Sequence, residues 1–162
     1  MPNPTKLIVR DSVRFVRPPD EWADPGCLVL DGVFDEVSVS LIDPATIEGI
    51  AREAGFELDR RRFRANIVIE SEEAEPFHED AWTGGRLTFG DGDDGAIVMV
   101  TRRDYRCAMI NIDTDTHERD AEVMKTVLRL NEGNAEVYAT VVRAGTVRVG
   151  DPIHLVDEVV SR

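Results

Sequence analysis

The sequence predicts a mainly β fold of the α+β kind: a closed or nearly closed β-barrel with two peripheral helices, in a single domain spanning residues 1–162. Three observations carry this. Most segments alternate apolar and polar residues with period two. Only two stretches show helical spacing, and Gly, Pro and Asp-Gly punctuate the chain at short intervals without an internal repeat or a linker.

Taken in order, Lys6–Arg10 and Val13–Arg17 read as two short strands or one bent one, ended by Pro18-Pro19. Cys27–Leu30 is an apolar run before the Asp31-Gly32 turn, and Glu36–Ile42 is a clean strand. The first helix starts at Asp43-Pro44-Ala45-Thr46. Asp43 suits the N-cap because its carboxylate can accept from first-turn amides, and Pro44 suits the first helical position, where a missing N–H costs nothing. Ile47, Ile50 and Ala51 form its inward stripe and Gly55 its stop.

Arg64–Glu70 reads as a strand, followed by an acidic loop through Glu79 and Asp80, with Trp82 anchoring the next hairpin. Arg86–Phe89 and Ala96–Val100 flank Gly90-Asp91-Gly92-Asp93-Asp94-Gly95, a hairpin turn that lacks the ligand spacing of a calcium loop. Cys107–Ile112 is a further apolar segment. The second helix runs from near Asp120 to Asn131, with Val123, Val127, Leu128 and Leu130 inward. Ala135–Val142, Thr146–Val149 and Ile153–Val156 close the sheet.

Composition narrows the function classes. The chain has 162 residues, a net charge of -13, 42% hydrophobic and 31% charged residues, which suit a globular domain with a real core. That charge repels phosphate backbones, and the only dense basic cluster, Arg60-Arg61-Arg62 with Arg64, is short, so nucleic acid is not expected as a partner. No apolar run reaches the ~18 residues of a membrane span. The first residues lack a secretory signal, so a cytoplasmic location with two free thiols is expected.

Cys107 is the one residue with a credible claim to chemistry. It follows Arg102-Arg103-Asp104-Tyr105-Arg106, read as an arginine-rich loop meeting a strand, and nearby guanidinium groups favour the thiolate, the form that binds metal or attacks an electrophile. The alternative at this level is a small buried hydrophobe. The three histidines are scattered, and no Cys/His pair has zinc spacing.

Five pieces of the chain, in order, carry a family resemblance. They are Ser40–Ile47 (SLIDPATI), Arg61–Ile69 (RRFRANIVI), Glu79-Asp80-Ala81-Trp82, Arg106-Cys107, and Val137-Tyr138-Ala139 with Gly145–Pro152 (GTVRVGDP). Together they resemble the MOSC domain family, named after the C-terminal domain of molybdenum cofactor sulfurases and related to the MOSC part of amidoxime-reducing-component-type reductases. Ala65 stands where the family usually has Pro, and Asp113-Thr114-Asp115 replaces its usual Pro-containing turn.

The resemblance implies a barrel that holds the molybdenum–molybdopterin cofactor. Cys107 would be the molybdenum ligand and catalytic residue, with Arg106 as a neighbouring cofactor contact. Arg64 and Asn66 would contact the pterin side, Asp43, Pro44 and Ala45 would line the cofactor, and Tyr138 would be an aromatic near it. A fork of guanidinium donors suits phosphate, and an amide can read a pterin edge. The activity implied is reduction of N-oxygenated small-molecule substrates with an external electron donor protein. The alternatives are a sulfur-carrier or cofactor-handling module with a persulfide on Cys107, or a binding-only barrel without metal.

Overall fold

The computed structural model describes residues 7–9, 27–30 and 39–157. Within these, seven strands form a closed barrel in the order β1-β4-β3-β7-β6-β5-β9. They are β1 (Leu7–Val9), β3 (Val39–Ile42), β4 (Ile67–Glu70), β5 (Gly85–Phe89), β6 (Ile97–Tyr105), β7 (Asn134–Arg143) and β9 (Pro152–Asp157). A separate two-stranded sheet pairs β2 (Cys27–Leu30) with β8 (Gly145–Arg148). The expected strand at Val13–Arg17 lies outside the described residues.

The two α-helices foreseen are present: α1 (Pro44–Ala54) and α2 (Glu122–Asn131). Helix α1 forms as its ends dictate. Asp43 accepts from the amide of Ala45 at 2.8 Å, Pro44 opens the first turn, and Gly55 closes it at a φ of 84° that suits a residue without a Cβ. The helix bridges β3 and β4, which pair in parallel; such a pair needs a crossover of this kind.

Two apolar clusters result. Val39, Leu41, Ile67, Ile69, Leu87, Phe89, Val98, Val100, Val137, Ala139 and Ile153 fill the barrel, with Trp82 buried among them. Outside the wall, Ile42, Ile47, Ile50, Phe63, Ile110, Val123, Val127 and Ala135 form a second cluster beneath the helices. Leu128 and Leu130, expected inward, are exposed at 45% and 40%. Leu128 lies about 140° round the helix from Val123, and Leu130 sits in the last turn of α2.

Two further segments differ from expectation. Arg102–Tyr105 is strand rather than loop, the end of the long β6. Cys107 then precedes a short 3-10 helix, Ala108–Asn111, without a capping hydrogen bond from its side chain, so the apolar run after it is not a strand. Strand β4 starts only at Ile67, because Arg64 turns the chain at a φ of 60°. The Gly90–Gly95 segment does join β5 to β6 as an antiparallel hairpin.

Candidate functional site

The site grows from two irregularities where β6 meets β7. Val100 pairs with Ala139 and Arg102 with Tyr138, so β6 carries an extra residue at Thr101. Arg103 pairs with Val137 and Tyr105 with Asn134, so β7 carries the next extra residue at Ala135-Glu136. Bulges of this kind re-aim side chains. Here they let Ala135 pack under α2 while Val137 points into the barrel, and they turn Glu136 into the wall.

Glu136 takes a φ of 84°, a conformation that costs a residue with a Cβ on the order of 1–3 kcal/mol. Its side chain is fully buried. Burial pushes its carboxyl well above the usual range, a push offset by the charge of Arg106 and increased by that of Asp104. The Ser40 hydroxyl also acts on it.

Arg106 is the hub. Its Nη1 meets Glu136 at 3.1 Å and makes a short ion pair with buried Asp104, while Nη2 donates to the Phe63 carbonyl at 2.6 Å. Two carboxyls and a carbonyl therefore share one guanidinium that is itself almost buried. Tyr138 joins the same group through Asp104, and its phenol is raised by burial and by that neighbouring carboxylate. Arg102 lies over the Tyr138 ring, 5.4 Å from its centre.

Asn66 occupies the adjoining edge. Its Oδ1 accepts from the Ser40 amide at 2.8 Å and from the Ser40 hydroxyl at 3.1 Å. With the carbonyl oxygen so used, the amide NH2 is the end left to offer a ligand. Arg64 is exposed, and no ion pair or hydrogen bond ties its guanidinium among the described residues.

Cys107 is a free, exposed thiol. The hydrogen bond from Arg106 to the Phe63 carbonyl connects its neighbour to the residue preceding Arg64. Cys107 and Arg64 thus flank the two ends of one contact, and Asn66 follows two residues on. The interactions tie Arg106, Asp104, Glu136 and Tyr138 into one group, with Asn66 joined to it through Ser40, which pairs with Tyr138 across β3 and β7; Arg64 and Cys107 adjoin it as the chain neighbours of Phe63 and Arg106.

Asp43, Pro44 and Ala45 belong to a neighbouring network. Asp43 Oδ2 accepts from the Ser71 amide at 2.9 Å and makes a short hydrogen bond with the Ser71 hydroxyl. The Ala45 and Thr46 amides both donate to Asp43, so the helix start spends its free donors internally. Glu79 completes this network, accepting from the Thr46 hydroxyl at 2.7 Å and the Asp43 amide at 3.4 Å.

Complete burial pushes the Glu79 carboxyl up to about 7, against the pull of those hydrogen bonds. A raised carboxyl pKa means the folded state holds its proton more tightly than the unfolded chain does. Its stability contribution is therefore full below the unfolded value and is lost as pH rises towards 7. Wild-type protein should lose about 3 kcal/mol from this group between pH 4.5 and 8, and Glu79→Gln should lack that component. Urea unfolding of both proteins at pH 5 and pH 8 measures the difference; parallel pH profiles would contradict it.

Sequence reasoning named Cys107, Arg106, Arg64 and Asn66 but not the buried Glu136 and Asp104 that meet Arg106. Asp104 lay in what read as a loop, and Glu136 read as one more residue of an alternating strand. The signal available for Glu136 was a charged residue inside the apolar run Ala135–Val142.

No group of three or more His, Cys, Asp and Glu side chains that could hold a metal occurs among the described residues. A metal here would take one protein thiolate and draw its remaining ligands from a cofactor. The exposed thiol, the unpaired Arg64 fork and the free Asn66 amide fit such a group. Arg106 turns its terminal nitrogens to Asp104, Glu136 and the Phe63 carbonyl, while its Nε has no partner.

The family model for the MOSC domain matches residues 33–154. The chain belongs to the MOSC domain family. This MOSC chain is 28% identical over 124 residues to a molybdenum cofactor sulfurase of Drosophila mojavensis, and 26% identical over 123 residues to that of Drosophila grimshawi. Each match covers 76% of the chain and 15% of the relative, so the chain spans a small fraction of the length of these curated relatives.

Among solved structures, it resembles the YuaD protein from Bacillus subtilis (TM-score 0.60, 17% identity, covering 76% of this chain and 65% of that one). It also resembles YiiM from Escherichia coli (TM-score 0.60, 17% identity, 98% and 72%). These likenesses support the mainly β MOSC fold. Among the described residues, no helix is long and apolar enough to cross a membrane.

Proposed function

We propose that this MOSC chain binds a molybdenum–molybdopterin cofactor, with Cys107 as the single protein ligand of the metal, and acts in two-electron reduction of N-oxygenated small molecules. The observation that carries the reading is the exposed Cys107 thiol, next in the chain to Arg106, whose guanidinium holds the Phe63 carbonyl just before the exposed Arg64. When bound, the cofactor supplies the two-electron chemistry; the protein holds and orients it.

In this reading Arg64 offers its fork to a phosphate, and the Asn66 amide donates to the pterin edge. The Cys107 thiolate is the soft donor that suits the metal. Arg106, next to the ligand thiol in the chain, would support the site through Asp104, Glu136 and the Phe63 carbonyl. Tyr138 and Arg102 form a rigid flank to the site. Electrons would come from an external donor protein.

The test is the molybdenum content of protein made in a host with an intact molybdopterin pathway, together with the mass of the released pterin. Near-stoichiometric metal and pterin support the reading, and protein free of both overturns it. A second reading is favoured by the exposure of Cys107 and by the likeness to cofactor sulfurases. In it Cys107 carries a persulfide. Cyanide-labile sulfur on Cys107 in metal-free protein would select it.

A further inference from the structure

Between Ser71 and Trp82 the chain crosses the start of α1 and is fastened at both ends. Ser71 is bonded to Asp43 through its amide and its hydroxyl, and Trp82 is buried in the barrel core. In between, the Phe77 amide donates to Thr46 Oγ1 at 2.6 Å, and the same hydroxyl meets Glu79 Oε2 at 2.7 Å. Pro76 lies directly against Gly49, where an added Cβ would come within 2.5 Å of the proline ring. The helix thus carries a glycine where the segment crosses it.

The segment itself is biased towards release. Glu72, Glu73 and Glu75 are exposed like charges, and Ala74 and Phe77 take φ values of 48° and 64°, which strain a residue with a Cβ. Glu79 is wholly buried, and no ion pair among the described residues reaches it. The charged groups that bear on it are carboxyls, Asp43 before α1 and Glu136 on β7. Arg103 of β6 borders the same turn but meets Asp80 instead, at 3.6 Å.

We propose that residues 72–81 form a strap latched to α1 through Thr46 and Glu79, closed while the Glu79 carboxyl keeps its proton and released when it ionises. With its proton, the carboxyl can donate to Thr46 across the 2.7 Å contact and accept from the Asp43 amide. Ionised, it is a dry negative charge facing two other carboxyls, and release into water relieves it. The closed state is therefore favoured in full below the ordinary carboxylate value and is lost as pH rises through about 7. The strap is independent of the cofactor reading, and its test needs no cofactor.

Amide hydrogen exchange reads the latch, since the Phe77 amide is one of its bonds. The rate is followed on the peptide containing Phe77 in cofactor-free protein and divided by the intrinsic chemical rate. It should be about tenfold or more faster at pH 8 than at pH 5, while a peptide from β7 stays protected. Glu79→Gln can make the same two contacts without a charge and should exchange slowly at both pH values. Thr46→Val removes the latch and should exchange fast at both. Should Thr46→Val not fold, Gly49→Ala, a change that favours helix, displaces Pro76 and should have the same effect.

Equal wild-type rates at the two pH values would overturn the proposal. So would a Glu79→Gln variant that keeps the pH dependence, which would hand the switch to His78, paired with Glu73 at 3.4 Å in the same segment. A β7 peptide that loses protection in step with Phe77 would also overturn it, because the whole barrel and not a strap would then be opening.

Discussion

Replacing Cys107 by Ser should lower the molybdenum content of cofactor-loaded protein to about a tenth of wild type or less, because a hydroxyl is a harder and far less acidic donor than a thiol. The expectation follows from the arrangement around the residue. The thiol is exposed, and the described residues contain no cluster of His, Cys, Asp and Glu that could replace it. The variant should fold normally, since an exposed side chain that caps nothing is being changed. Cys27→Ser serves as the comparison and should keep its metal. Elemental analysis of wild type and both variants from one expression host decides the matter. Equal metal in wild type and Cys107→Ser would remove Cys107 as the ligand.

Arg106→Met should be the most destabilising single change at the site, by about 3–5 kcal/mol at neutral pH. Methionine fills much of the space but leaves Asp104 and Glu136, both almost wholly buried, without their shared cation. The Phe63 carbonyl also loses its donor. The deficit should shrink as pH falls, because the stranded carboxyls relieve their repulsion by taking up protons. Urea midpoints of wild type and variant at pH 5 and pH 7.5 give both numbers. A loss below ~1 kcal/mol at both pH values would mean that Arg106 balances no buried charge.

How far the sequence could be read depended on whether a residue's partner was local. Asp43, Pro44 and Gly55 shape their helix through contacts within a few positions, and all three behave as their chemistry predicts. Period-two alternation located most of the barrel strands, though not the far half of β6, and Trp82 sits in the core, where an indole anchor belongs. The charged run Arg102–Arg106 misled because charge usually marks a loop. Here Asp104 and Arg106 turn inward and neutralise one another, with Glu136 supplied by a strand some 30 residues later.

No local pattern announces such a partnership, nor the two bulges that create it. The lone thiol and the Arg-x-Asn segment were legible because they rest on residue identity and order. The support beneath them was not, since it depends on the register of β6 against β7. Leu128 and Leu130 illustrate the same limit from the apolar side: a hydrophobic residue near a helix end is inward only if something lies beneath it.

The barrel's closing seam has one more consequence. Leu7 of β1 pairs with Ile153 of β9, so strands from opposite ends of the described chain lie side by side. Ends this close make the order of the strands along the chain largely independent of their order in space. A circular permutant of residues 7–157 could join Asp157 to Leu7 with a short flexible linker and open the chain at Asp91–Asp93, the exposed tip of the β5–β6 hairpin. The ring of strands would then be re-threaded without moving the wall that carries the thiol.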